Sequence, residues 1–309
     1  MASVLNTNMA SITAQRYLTS AQNKLQSSYE KLSSGSRINR AQDDAAGMGI
    51  SQKLVASINS TSMAIRNAND AIGAAQTAEG AMSEISNMLQ RFKELAVQGG
   101  NDALSGTQRG FLVGEMLQLR SEMQNIASRT KFNGNSLLQN TNVSSLVFQT
   151  GEGASDTQSV AVYDITTTGA LNTLLGAAGS NTDANFYNTW FATADANGAT
   201  YASGQKVMSA DFNTTQVAGQ TLQDAIDSAI DFIGQKRAQY GSLINRLNAN
   251  VNNLTALHEN LSAANSRVVD TDYASETASL TKTQILQQAA TAMLSQANAS
   301  PNVVLALLK

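Results

Sequence analysis

Three observations predict a mainly α fold: long antiparallel helices in a coiled-coil bundle, with a β-hairpin, a small irregular outer insertion and both termini at one end. Apolar residues recur every seven positions late in the chain, where Tyr240, Leu247, Leu254, Leu261 and Val268 alternate with Ile244, Val251 and His258. That period keeps one seam turned toward a partner helix. Apolar residues make up 42% and aromatic residues 5% of the 309 positions, while charged residues reach 14%, against about 25% in an average soluble domain. Such a chain builds narrow helix seams more readily than a thick aromatic core, and its single proline, Pro301, leaves nearly all of it free to be helical.

The elements follow in order. Leu18, Ala21, Leu25, Tyr29 and Leu32 have three-and-four spacing and predict a first helix that stops at Ser33-Ser34-Gly35-Ser36. Asp43 and Asp44 suit the positive N-terminal end of a second helix, in which Ile58, Ile65 and Ile72 and then Met82, Ile85, Leu89, Phe92 and Ala96 mark the seam. Gly99-Gly100-Asn101-Asp102 ends it; a continuous helix to that point would be roughly 85 Å long. Residues 106–129 predict a third helix, and Phe132-Asn133-Gly134-Asn135 a turn. Residues 145–150 and 157–167, rich in Val, Ile and Thr around Gly151-Glu152-Gly153, predict a β-hairpin. Residues 171–215 lack a sustained period and read as the surface insertion. The long heptad helix comes next. Asp270 and Asp272 mark a restart, and Leu286, Ala289, Met293 and Ala297 form a final stripe that Pro301 closes.

A net charge of −3 with no basic block excludes an electrostatic nucleic-acid footprint, and no apolar run is long enough to span a membrane. The chain has no cysteine, so neither disulfides nor thiolate metal sites are available. Its first residues lack the basic and apolar segments of a cleaved secretory signal. No phosphate-binding glycine loop appears, and no cofactor is expected. His258, the only histidine, reads as a seam residue and not as part of a triad or metal site. Asp43 and Asp44 read as helix-start acids rather than paired catalytic carboxylates, and Asn142-Val143-Ser144 as a chance triplet in an Asn-rich, Ser-rich chain. An enzyme is therefore not expected.

Residues 32–47, LSSGSRINRAQDDAAG, closely resemble the N-terminal signature of bacterial flagellins, and residues 89–98, LQRFKELAVQ, are similar to the family's long-helix segment. Residues 266–276, SRVVDTDYASE, and 284–289, QILQQA, resemble its closing region. The resemblance covers about residues 1–168 and 216–309.

It implies a secreted structural subunit that self-assembles into the helical flagellar filament for motility. Residues 1–43 and 271–309 would form inner-core terminal helices, and 44–170 with 216–270 a long-helix domain carrying the hairpin. Residues 171–215 would be a reduced variable insertion. Subunit assembly would use Leu18, Leu25, Leu32, Leu286, Met293 and Leu294. Partners would be further copies of the chain, an export chaperone of the type III route, the filament cap and the hook-filament junction protein. By the same resemblance, Arg91, Leu95 and Glu115 match residues engaged by a Toll-like innate receptor, while Phe92 and Lys93 depart from the commoner family residues there. The competing readings are the junction protein itself, and a flagellin-like surface protein that binds glycans by stacking sugars on Phe186, Tyr187 and Trp190.

Overall fold

The computed structural model describes residues 7–101, 103–139, 144–165 and 222–307, with side chains at 300–307 left aside. The described helices are α1 (Met9–Ser34), α2 (Ala45–Gly99), α3 (Gly106–Arg129), α4 (Leu222–Val269) and α5 (Tyr273–Leu307). The strands are β1 (Lys131–Phe132), β2 (Asn135–Ser136), β3 (Ser145–Gln149) and β4 (Thr157–Ala161). The chain divides into two compact units, residues 1–59 with 257–309, and residues 60–256. The insertion at 171–215, with Phe186, Tyr187 and Trp190, lies outside the described residues.

In the unit formed by residues 60–256, three helices close one core. The buried positions of α2 advance by three and four through Thr61, Ala64, Ala68, Ala71, Ala75, Ala78, Met82, Ile85, Leu89, Phe92 and Ala96. Those of α3 do the same through Arg109, Val113, Met116, Arg120, Met123 and Ala127. From α4 come Leu222, Ile226, Ala229, Ile233, Tyr240 and Leu247. The alanines let backbones approach closely at one end of the seam, and the larger residues fill it at the other. Ile65 and Ile72 flank this line and are only half-buried.

The ends of these helices are set locally. Ser105 and Gln108 form a capping box at the start of α3. Asn133 and Gly134, at φ of 48° and 83°, make the two-residue turn between the antiparallel strands β1 and β2, a conformation that Asn-Gly adopts at low steric cost. β3 and β4 pair antiparallel, from Ser145 opposite Ala161 to Gln149 opposite Thr157. The strand ends at Ala161, short of the expected reach to Thr167. The Tyr240 hydroxyl donates to the Ala161 carbonyl at 2.6 Å, and Val162 and Ile165 beyond it are buried as irregular chain. Burial, and then the neighbouring Tyr163, raise the Tyr240 pKa above the ordinary phenol range.

In the unit formed by residues 1–59 and 257–309, α1 and α5 run antiparallel. Asn8 Nδ2 donates to the Ala297 carbonyl at 2.7 Å, while at the far end the Tyr273 hydroxyl donates to the Leu32 carbonyl at 3.4 Å. Two connections join these helices to α2 and α4, and a single backbone bridge, Ser36 with Asp270, ties the connections together. The Arg37 amide donates to Val269 O at 2.6 Å, and the Thr271 amide to Gly35 O at 2.9 Å. Gly35 ends α1 in the left-handed region, at φ of 69°. Asp44 caps α2 by accepting from the Gly47 amide at 2.8 Å, and Asp272 caps α5 by accepting from Ala274 and Ser275 at 2.9 and 3.3 Å.

Pro301 does not close α5, as its position suggested; helical backbone continues through it to Leu307. An interior proline removes one hydrogen bond and crowds the carbonyl four residues earlier, a cost of about 3 kcal/mol. It weakens the last turns without forbidding helix on either side.

Asp43 plays a different part from Asp44: its carboxylate closes the connecting turn by accepting from the Asn39 and Arg40 amides at 3.1 and 3.0 Å. Those bonds, Arg40's first and Asn39's second, lower its pKa below the ordinary 3.8. A depressed folded pKa means that the interaction is fully present above the unfolded value and is lost as pH falls through the folded one. The Asn39 and Arg40 amide resonances should therefore titrate with a midpoint below 3.8; a midpoint at or above it would show that the turn is not closed by Asp43 in solution.

Candidate assembly surface

The seam between α1 and α5 is thin. On α1 it runs through Ser11, Ala14, Leu18, Ala21, Leu25, Ser28 and Leu32; on α5 through Glu276, Leu280, Thr283, Gln287, Ala290, Leu294 and Ala297, in the same three-and-four order. Three of the assembly candidates, Leu18, Leu25 and Leu32, sit on it half-buried, as does Leu294. Tyr29, expected on the stripe, is 49% exposed, and Ser28 takes the seam position beside it. The Ser11 hydroxyl donates to Asn298 Oδ1 at 2.7 Å, so much of the contact is between small or polar groups.

Of the stripe expected on the last helix only Ala297 lies on the seam; Leu286, Ala289 and Met293 do not. Leu286 is 50% and Met293 65% exposed, and Ala289 is exposed beside them. A heptad reading could not separate Met293 from its neighbour Leu294, because the two are adjacent and both apolar. The exposed face of α5 meets an equally exposed face of α1 that sequence periodicity missed, carrying Met9 at 63% and Tyr17 at 68% exposure. Their side chains line an apolar groove of about 670 Å³ with Thr13, Leu286, Ala289 and Met293. Met9, Thr13 and Tyr17 are spaced four apart, a signal hidden by the threonine.

The second group of candidates separates by burial. Arg91 and Glu115 are about half-exposed and joined at 2.9 Å, with Glu94 also 2.9 Å from Arg91. The Glu94 bond first, and then Glu115, raise the Arg91 pKa. Leu95 differs: it is 1% exposed and packs in the core, so it offers no surface to a partner. Its place on α2 faces inward, one turn from Phe92 and nearly two from Leu89. Neighbouring Lys93 pairs with Asp227 on α4.

His258 lies half-buried on α4 in the position its heptad predicts. Among the described residues no group of three or more His, Asp or Glu is placed to hold a metal ion, and no helix is long and apolar enough to cross a membrane.

Comparison with known proteins agrees with this helical, two-ended layout. Residues 5–143 match the bacterial flagellin N-terminal helical region, and residues 223–308 the bacterial flagellin C-terminal helical region. Polar flagellin F of Vibrio parahaemolyticus is 34% identical over 380 aligned positions, covering 100% of both chains. Flagellin B of Vibrio cholerae is 36% identical over 376, again with 100% of each chain covered. The crystal structure of Bacillus cereus flagellin has a TM-score of 0.42 and 26% identity, covering 65% of this chain and 94% of that one. With both terminal regions matched and full-length relatives above 30% identity, the chain belongs to the bacterial flagellins: a structural, non-enzymatic subunit of the extracellular flagellar filament.

Proposed function

We propose that copies of this subunit join by packing into the α1/α5 groove, and that this packing orders the terminal helices. The observation that carries the reading is the groove itself, an apolar face on a helix pair whose own seam is too small and polar to use it. Covering the part of Leu286 or Met293 still exposed, 50% and 65%, would contribute about 1–2 kcal/mol each. In this reading residues 1–43 and 271–309 are the inner core of the filament, 44–170 with 216–270 the surrounding domain, and 171–215 a reduced outer part. Leu18, Leu25, Leu32 and Leu294 hold the pair together, while Leu286 and Met293 meet the neighbouring copy. Export chaperone, type III apparatus, filament cap and junction protein are further partners that family membership suggests.

Leu286→Asp should leave the helix content of the free subunit nearly unchanged and abolish filaments seen by electron microscopy at concentrations where the parent chain elongates. Normal filaments from that variant would remove the groove from the interface. Helices in proteins draw most of their stability from tertiary packing and this pair has a thin seam, so amide exchange in residues 9–34 and 273–299 should be fast in the dilute subunit and slow in filaments. Equal protection in both would rule out coupled ordering.

We also infer that Arg91 and Glu115 are the groups a Toll-like receptor could reach, with Leu95 acting only through packing. Arg91→Ala should weaken receptor signalling while leaving the unfolding midpoint nearly unchanged. Leu95→Ala should cost about 2–5 kcal/mol in chemical denaturation. A stable Leu95→Ala variant with lost signalling would contradict this division.

A further inference from the structure

We propose that Met9 and Met293 form an oxidation-sensitive site in the free subunit, whose conversion to sulfoxides closes the α1/α5 groove to a second copy. This rests on the groove being the interface between copies. The chain has ten methionines, and their environments differ sharply. Met82, Met116 and Met123 are at most 1% exposed, whereas Met9 and Met293 are 63% and 65% exposed. These two line the same groove from opposite helices. Met63, 47% exposed, is another open thioether among the described residues, but it lies on α2 with its sulfur near Arg66.

The reactant is a hydroperoxide. A lone pair on the thioether sulfur attacks the terminal peroxide oxygen and the O–O bond breaks. Sulfur gains one oxygen and is oxidised by two electrons; the peroxide is reduced, leaving as water when the reagent is hydrogen peroxide. The product is a strongly polar acceptor in place of a flexible apolar group. Covering it with an apolar surface requires a donor. The Thr13 and Thr283 hydroxyls are committed to carbonyls of their own helices, Met9 O and Ser279 O, both at 2.8 Å, and the groove's other side-chain donors, Tyr17, Ser20 and Lys24, all stand on α1 and would have to give up water to reach a covered sulfoxide. An uncompensated acceptor therefore opposes docking. Once a neighbour fills the groove, the same contact shields both sulfurs from the reagent.

The test treats full-length subunit and preformed filaments with dilute hydrogen peroxide, maps sulfoxides by peptide mass spectrometry, and measures the critical concentration for assembly. In the free subunit Met9 and Met293 should gain oxygen far faster than Met82, Met116 or Met123, and the critical concentration should rise at least about tenfold. In filaments Met9 and Met293 should be protected. A Met9→Leu, Met293→Leu chain should assemble before and after peroxide even with Met63 oxidised; loss of assembly equal to the parent's would overturn the proposal. If the double variant does not assemble at all, methionine sulfoxide reductase acting on oxidised parent subunit decides: recovery supports the site, and persistent failure with the sulfoxides removed overturns it. Equal oxidation in subunit and filament would instead remove the groove from the interface. Protection in filaments with unimpaired assembly of oxidised subunit would overturn the redox inference alone.

Discussion

Two helices packed together share one seam, and everything apolar on their other faces must find cover elsewhere. That constraint governs α1 and α5. Their seam alternates half-buried leucines, Leu18, Leu25 and Leu32 on α1 and Leu280 and Leu294 on α5, with Ala14, Ala21, Ala290, Ala297, Ser11, Ser28 and Thr283, so the pair approaches closely while burying modest apolar area. The larger side chains, Met9, Tyr17, Leu286 and Met293, stand on the outer face. A subunit designed to be stable alone would place them inward; the proposed interface between copies would give them cover outside.

The unit of residues 60–256 solves the opposite problem. Three helices give each a partner on two sides, and its seam carries Met82, Ile85, Leu89 and Phe92 at 0% exposure. Cross-links of higher specificity lie over that core: Arg237 pairs with Glu79 at 2.9 Å, and Tyr163 meets Tyr240 edge-on at 5.5 Å between ring centres. The ion pair is partly exposed and adds modestly to stability. Its value is positional, since it joins α4 to α2 at one register, as Lys93 and Asp227 do further along.

How far the fold could be read beforehand follows from residue size. Where the seam is large and its flanks polar, as at Tyr240, Leu247 and Leu254, the heptad named the buried positions directly, and the bounds of α3 at 106 and 129 lie between two turn sequences, 99–102 and 132–135. Where the seam is small, hydrophobicity no longer marks it. Along the first half of α2 the isoleucines drew attention while the alanines beside them took the contact. On α1 the choice fell on Tyr29 instead of Ser28, and on α5 Met293 and Leu294 could not be ranked. The groove could not be read because its walls lie on helices at opposite ends of the sequence; the α5 wall showed as a stripe, but its α1 counterpart, Met9, Thr13 and Tyr17, did not.

A seam of small groups raises a further question of register, since alanines slide past one another at little cost. Polar residues at the ends of the pair supply the answer. Asn8 reaches the Ala297 carbonyl and Ser11 reaches Asn298 at one end, while the Tyr273 hydroxyl reaches Leu32 at the other. A shift of one turn would break all three; the two at the Asn8 end are partly buried, and a donor or acceptor left without a partner costs about 1–3 kcal/mol where it is fully buried. The antiparallel bridge between Ser36 and Asp270 adds a further restraint where the two connections lie side by side. The register of α1 against α5 is therefore set by directional bonds and not by apolar fit. That leaves the exposed methionines, leucine and tyrosine of the outer face aligned with one another whenever the pair forms, so the groove they line has one shape in the paired state.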